Sequence, residues 1–359
     1  MMQTLCTGPE SPPGDVPPYV SIIVPCRNEG RWIAPCLESI LANDYPRDRL
    51  EVLVVDGMST DETRSIVERY ASSGACIRLL DNARQITPAA LNIGIAAAQG
   101  AVILRMDAHV DYPVNYVRCL VDLLQTRRAD NVGGVCLTQP GADTPMARAI
   151  AIGMSHPVGV GNSYFRIGSA EERWVDTVPF GCYRREVFAR IGGFDEDLVR
   201  NQDDEFNLRL IRSGGRILLS PHVVCRYYTR DSLGKLWRMY YQYGHFKPLV
   251  VRKVNGVMTL RQLGPPLFVL CLIAGTLFAP WSRLVAAALA MVVAGYAAVI
   301  GACALLAARK HGWRAALGLF LVFPAIHVSY GLGYLRGIWT FLILRRGARA
   351  AAAGTTITR

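Results

Sequence analysis

Residues 20–28 (VSIIVPCRN) open on an apolar run of the kind carried by a strand buried on both faces. An amphipathic stretch follows at 30–43, then a second apolar run at 50–56 (LEVLVVD). Ser59-Thr60-Asp61-Glu62 fits a capping box opening a helix through about Tyr70. The alternation continues with CIRLLD at 76–81, a helix over 88–99 and AVILRMD at 101–107. Strands and helices alternating at this length predict an α/β domain on a mostly parallel sheet. From about 131 to 230 the pattern is mixed, predicting strands near 131–138, 175–182 and 216–226 and helices near 184–191 and 203–213.

Beyond 261 the pattern loses its period. Residues 262–282, 284–308 and 315–335 contain no Asp, Glu, Lys or Arg. Each is long enough to cross a hydrocarbon core of about 30 Å, which takes about 20 helical residues. Three buried helices of a soluble domain would not leave runs of that length free of charge, so a transmembrane region over 262–344 is expected. Between the two regions, Arg230–Arg261 mixes seven Lys/Arg with Trp237 and several Tyr. That mixture predicts an interfacial segment over 231–261 among anionic headgroups. The resulting division is a flexible 1–18, an α/β domain over 19–230, the interfacial segment, the membrane region and a basic, Ala-rich 345–359.

Charge sharpens this division. Residues 1–231 hold 24 Lys/Arg and 28 Asp/Glu, whereas 232–359 hold 15 Lys/Arg and no acid, giving +11 overall. Basic residues interleaved with long apolar runs fit a membrane and offer none of the readout elements of a nucleic-acid binder. The cysteines are scattered without a C-x-x-C pair, which excludes a zinc spacing and a secreted disulfide framework. The first 18 residues lack the basic and apolar regions of a secretory signal, so the N-terminal domain is expected in the cytoplasm.

In open α/β sheets, ligands sit beyond the carboxyl ends of the strands. That singles out Asn28-Glu29, Asp56, Asp81 and Asp107-Ala108-His109. No G-x-G-x-x-G or G-x-x-x-x-G-K-[ST] is present, so dinucleotide dehydrogenases and P-loop enzymes lack support. A carboxylate and an imidazole two residues apart can grip one divalent cation; carboxylate suits Mg²⁺ or Mn²⁺, and imidazole leans toward Mn²⁺. Placing Asp at 109 is therefore expected to shift the preference toward Mg²⁺. Gln202-Asp203-Asp204-Glu205 crowds three acids at a helix start, where they repel unless some pair, bind a cation or share a proton.

Taken in order, VSIIVPCRNE at 20–29, VVDGMSTDET at 54–63, Asn92 with Gly94 and Gly100, RMDAH at 105–109, PFGCYRREVFARIGGFDEDL at 179–198 and QDDEFNLRL at 202–210 resemble glycosyltransferase family 2 on a GT-A fold. The resemblance runs over roughly residues 19–245 and is closest to membrane-anchored exopolysaccharide glycosyltransferases of the succinoglycan type. It implies an inverting transferase that moves a hexose from a nucleoside-diphosphate donor such as UDP-glucose to a lipid-linked, polyprenyl-diphosphate-type saccharide at the bacterial cytoplasmic membrane. Asp56 would contact the nucleotide, with Pro25, Asn28, Glu29, Asn92 and Asp107 around the donor. Asp107 and His109 take the places of the family's D-x-D metal motif, with His replacing the second acid. Asp203 falls on the catalytic base, tuned by Asp204 and Glu205. Gly181, Cys182, Asp204 and Gln242 are candidates on the acceptor side. Of the Q-x-x-R-W sequence of processive relatives, Gln242 alone is kept, which argues against a polymerising synthase. A glycolipid or short-polymer synthase and an inert membrane scaffold are the alternatives.

Overall fold

The computed structural model describes residues 16–74, 76–256 and 260–347. The expected flexible segment and basic tail lie mostly outside these residues. In chain order the elements of the first half are β1 (Val20–Cys26), α1 (Gly30–Leu41), β2 (Leu50–Asp56), α2 (Thr63–Ser72), β3 (Ile77–Asp81), α3 (Thr87–Ala97), β4 (Val102–Arg105), β5 (Val110–Asp111), α4 (Tyr116–Thr126) and β6 (Asn131–Gln139). There follow α5 (Pro145–Met154), α6 (Pro157–Val160), α7 (Tyr164–Ile167), β7 (Arg173–Trp174), β8 (Cys182–Arg184), α8 (Arg185–Ile191), α9 (Gln202–Arg212) and β9 (Ile217–Tyr228). The apolar part consists of α10 (Leu233–Lys253), α11 (Gly264–Phe278), α12 (Arg283–His311) and α13 (Trp313–Gly337), which runs on into a π-helical turn, Ile338–Ile343.

The strands form one mixed sheet in the order β3-β2-β1-β4-β8-β6-β9-β5, with β7 on β9. Its first four strands are parallel, as the alternating pattern requires. The register sets Cys26 beside Asp56 and Ile23 beside Arg105, so the carboxyl ends of β1, β2 and β4 lie along one edge. From β8 onward the pairings with known direction are antiparallel. The strand expected over 175–182 is shorter and later, confined to Cys182–Arg184.

β1 and β2 are buried along almost their whole length, which explains their apolar runs; Ser21 and Glu51, polar residues within them, hydrogen-bond to each other at 2.6 Å. One core cluster joins Ile23, Leu53, Leu91 and Ile103 to Phe188, Phe194 and Phe206. Phe206 stacks on Phe194 with ring centroids 4.4 Å apart and meets the Tyr183 edge at 5.5 Å. This packing fixes α9, whose first turn carries the acidic cluster.

The chain divides into two compact units, one of residues up to 137 and 164–227, the other of 138–163 and 228 onward. The second unit holds three helices long and apolar enough to cross a membrane: Arg261–Trp281, Arg283–His311 and Trp313–Ile343. Of an apolar 18-residue stretch in each, only 11% and 17% are buried within the protein in the first two, against 56% in the third. The third is therefore central, packed by α10, α5, α11 and α12. The third helix runs past Arg336 to Gly337 and on as the π-helical turn to Ile343.

The 231–261 stretch, read as interfacial, is in the structure largely a helix seated on α13. α10 is buried without interruption from Gly244 to Val250. A Cβ at Gly333 would lie 2.2 Å from the Tyr241 carbonyl, and one at Gly244 2.1 Å from that of Tyr330. Glycine at these positions lets the two backbones touch, the usual means of close helix packing in lipid. His327 on α13 is satisfied on both nitrogens, 2.7 Å from the Tyr296 hydroxyl and 2.8 Å from the Val158 carbonyl.

Candidate active site

Three loops at the carboxyl edge of the parallel strands build the site: 27–29 after β1, 57–62 after β2 and 106–109 after β4. The first two are laced together. Asn28, with φ of 53°, accepts the Thr60 amide at 2.8 Å on Oδ1 and donates its own amide to Ser59 Oγ at 2.8 Å. The Glu29 amide donates to Thr63 Oγ1 at 2.8 Å, and the Gly30 amide to Asp61 Oδ2 at 3.0 Å. The expected capping box does not form. α2 begins at Thr63, whose amide donates to Asp61 Oδ1 at 3.0 Å, while the Ser59 hydroxyl turns back to Asp56.

Asp56 is wholly buried. Its Oδ2 accepts the Ser59 amide at 3.0 Å and faces Arg64 Nη1 at 2.9 Å, while Oδ1 takes the Ser59 hydroxyl and the Cys26 thiol. The same Arg64 nitrogen reaches Asp81 Oδ1 at 2.8 Å, and the Asp81 side chain is 64% exposed. Asp56 therefore organises the pocket floor, and Asp81 is the carboxylate of this pair that a ligand can reach. Pro25 lies within β1 opposite Val55.

Asn92 stands outside the donor edge. Its Nδ2 donates to the Phe194 carbonyl and to Glu196 Oε1, both at 2.9 Å, and Oδ1 accepts the Phe194 amide at 2.8 Å. With both amide protons and the oxygen engaged, this side chain clamps the 194–196 loop.

Asp107 and Asp203, 96 positions apart in sequence, meet at one guanidinium. Arg105 is the last residue of β4, and its amide donates to the Gly181 carbonyl at 3.1 Å. Its Nε lies 2.9 Å from Asp107 Oδ1, Nη2 3.2 Å from Asp107 Oδ2, and Nη1 2.6 Å from Asp203 Oδ1. The side chains are 11% exposed for Arg105, 16% for Asp107 and 32% for Asp203. Tyr112 holds the turn by accepting the Asp107 amide on its hydroxyl at 2.7 Å. Burial pushes the Asp203 carboxyl above its ordinary pKa; Arg105 pulls against this, and the charges of Asp107 and Asp204 push with it. Glu205 takes no part in that balance, since it pairs with Arg209 through Nε at 2.8 Å and Nη2 at 2.9 Å.

His109 turns toward Glu29, with Nδ1 3.3 Å from Oε1, and its ring sits edge-on to Tyr227 at 5.4 Å. Among the described residues no three His, Cys, Asp or Glu side chains form a metal-holding group. Asp107 is an oxygen donor suited to a hard cation, and each of its oxygens keeps a lone pair beyond the one Arg105 uses. The residues thus fit a cation held chiefly by the phosphates of a ligand, with Asp107 as its carboxylate. A cage made by the protein is not what they form.

Of the acceptor-side candidates, Cys182 is fully buried in β8, opposite Leu104, and lines nothing open. Gly181 permits a close crossing, because a Cβ there would lie 2.5 Å from Asn131 Oδ1 and from the Tyr183 hydroxyl. Gln242 belongs to α10 in the other unit. Arg105, Arg64 and Tyr112 went unassigned from sequence, although Arg105 stands two residues before Asp107 within the quoted RMDAH.

A sequence model described as Glycosyl transferase family 2 matches residues 21–192. The succinoglycan biosynthesis protein ExoA of Rhizobium meliloti is 32% identical over 246 residues, 68% of this chain and 73% of the relative. A Methanococcus voltae enzyme is 29% identical over 243 residues, 66% of this chain and 74% of the relative. It is named as a dolichyl N-acetyl-alpha-D-glucosaminyl phosphate 3-beta-D-2,3-diacetamido-2,3-dideoxy-beta-D-glucuronosyltransferase. Among solved structures, a mannosyltransferase of Pyrobaculum calidifontis in complex with GDP-Man and Mn²⁺ aligns at a TM-score of 0.55 and 23% identity. That alignment covers 90% of this chain and 88% of that one.

Proposed function

Because this chain belongs to glycosyltransferase family 2, we propose that it transfers a hexose, with UDP-glucose the first donor to try, onto a lipid-linked saccharide in the assembly of an envelope or extracellular polysaccharide. The observation that carries the reading is the convergence of Asp107 and Asp203 on Arg105 at the carboxyl edge of the parallel strands. The names of the relatives, one in succinoglycan biosynthesis and one acting on a dolichyl phosphate saccharide, support a lipid-linked acceptor.

In this mechanism an acceptor hydroxyl attacks the anomeric carbon from the face opposite the nucleotide. The new C1–O bond forms as the bond from C1 to the phosphate oxygen breaks, and the hydroxyl proton passes to the Asp203 carboxylate. Asp81 and the Arg64 pair address the nucleoside, over a floor ordered by Asp56. Asp107 would hold a divalent cation, Mn²⁺ or Mg²⁺, which neutralises charge on the departing diphosphate. The three apolar helices would anchor the enzyme, with the catalytic unit in the cytoplasm. The junction of α12 and α13 at Gly312 carries three Lys/Arg within Arg309–Arg314, and short basic connections of that kind stay inside.

The test is a screen of nucleotide sugars with membranes containing the protein, read as nucleoside diphosphate release and as transfer of label into the lipid fraction. Release from one donor that needs a lipid extract and is lost in Asp203→Asn supports the reading. Absence of release across the panel, with folded protein confirmed, overturns it.

A further inference from the structure

The site contains a buried cation that the proposed chemistry does not yet use. Arg105 offers three N–H groups to two carboxylates: a fork on both oxygens of Asp107 and a single short bond to Oδ1 of Asp203. Its backbone is pinned between two strands, the Arg105 amide on the Gly181 carbonyl and the following Met106 amide on that of Ile23. A planar fork fixed at its base and engaged at its tip has little freedom left, unlike an ammonium on a flexible stem. Asp203 itself sits at the start of a helix held by the Phe194–Phe206 stack.

We propose that Arg105 is a positioning residue. It ties Asp203 to Asp107 and, by occupying Oδ1 of Asp203, leaves Oδ2 as the oxygen that receives the acceptor proton. This rests on the reading of Asp203 as the base. The geometry selects an atom because the Asp203 carboxylate has two oxygens, and Oδ1 takes the guanidinium bond at 2.6 Å while the other two Arg105 bonds go to Asp107. The bridge also fixes the spacing between the end of the site that holds the donor diphosphate and the end that activates the acceptor. Two carboxylates this near each other would otherwise repel and splay. Arg105 touches neither substrate in this scheme and acts through the two aspartates.

The experiment is a double-mutant cycle on Arg105→Lys and Asp203→Asn, in membranes, with the donor found active in the screen. Lysine keeps the charge but cannot span both carboxylates. The expected result is a kcat lowered about 10–100-fold in Arg105→Lys, the size of a roughly 1 Å misplacement. The donor KM and the direct binding of UDP, or of the matching nucleoside diphosphate, should stay within about threefold. In the Asp203→Asn background the lysine change should lower kcat far less than in the wild type, because one of the two residues it positions is already disabled. An Arg105→Lys enzyme with more than half the wild-type kcat, or independent losses that multiply in the double variant, overturns the proposal. Normal transfer by Asp203→Asn defeats the base assignment itself, an outcome distinct from an inert Arg105→Lys beside a dead Asp203→Asn. If Arg105→Lys does not fold, Asp203→Glu serves instead. It keeps the carboxylate but moves its oxygens off the Arg105 bridge. A near-normal kcat in that variant would show that placement of Oδ2 is unimportant.

Discussion

Residue type alone predicts that His109→Asp, by restoring D-x-D, shifts metal preference toward Mg²⁺. The structure predicts a different first consequence. His109 Nδ1 stands 3.3 Å from Glu29 Oε1, with side chains 14% and 5% exposed. An Asp Oδ branches from Cγ as the imidazole Nδ1 does, so the new carboxylate would stand where the ring nitrogen stands. Two unit charges at that separation repel by about 5 kcal/mol at an effective dielectric of about 20. The protein can escape by protonating one carboxyl, which at pH 7 means raising a pKa from about 4 by roughly three units, or about 4 kcal/mol. The penalty is therefore capped near 4 kcal/mol, and after local relaxation we expect about 2–4 kcal/mol. For a unit of this size that lowers the melting temperature by at least about 5 °C. The sign with pH follows from a raised folded-state pKa. The penalty is full above the folded value and vanishes below the unfolded one, so it shrinks between pH 7 and pH 5. Detergent-solubilised His109→Asp would be melted beside His109→Asp/Glu29→Gln, in which no like charges face each other. The single variant should melt lower at pH 7, and the gap to the double should narrow at pH 5. Equal melting at pH 7, or no recovery on adding Glu29→Gln, would refute the reasoning.

Burial raises the Asp203 carboxyl above its ordinary value, so its base form is lost on acidification earlier than for a free carboxylate. The acid limb of kcat should lie above the usual carboxylate range, and a limb near pH 4 or below counts against Asp203. Asn92→Ala should lower stability by about 1–3 kcal/mol through loss of its bonds to Phe194 and Glu196. Donor KM should stay within about twofold, and a large KM change would restore Asn92 to the donor site. For the proposed orientation, single cysteines at 282 and 312 would be probed in intact spheroplasts with an impermeant thiol reagent. Labelling at 282 alone is expected, and labelling at 312 without lysis reverses the topology.

Most of the first unit was legible in sequence because its parallel strands are buried on both faces, and burial writes apolar runs such as those of 22–24 and 52–55. The antiparallel part was harder. β5 and β7 are two residues long and carry no period; Gly134 marks a close approach to the Val223 backbone, and Gly133 and Gly181 are crowded by neighbouring side chains, so glycine interrupts the strand pattern there. α5 was missed because its residues, PMARAIAIGM, are buried on several sides and show little polar alternation. The packing of α10 within 231–261 was hidden for a related reason. Lys247 and His245 are buried on α10 with Phe246 and Leu249, so charge there does not mark a solvated face. Spacing also could not reveal that Asp56 faces inward, since that depends on Arg64 and Ser59 closing around it.

The departure of this chain from D-x-D reads differently once the charges are placed in space. From sequence, histidine at 109 is a substituted metal ligand. In the structure the region of the D-x-H turn already holds Glu29, Asp107 and Asp203, and Arg105 bridges the last two. A fourth carboxylate at 109 would meet Glu29 rather than relieve it. The histidine instead faces Glu29 with Nδ1 3.3 Å from Oε1 and brings no negative charge of its own. The position is thus matched to its buried neighbour as much as to any cation. The same reasoning explains why Arg105 belongs with this turn: two carboxylates brought to one sheet edge need a partner that cannot lose its proton, and arginine supplies it with the fork that sets their spacing.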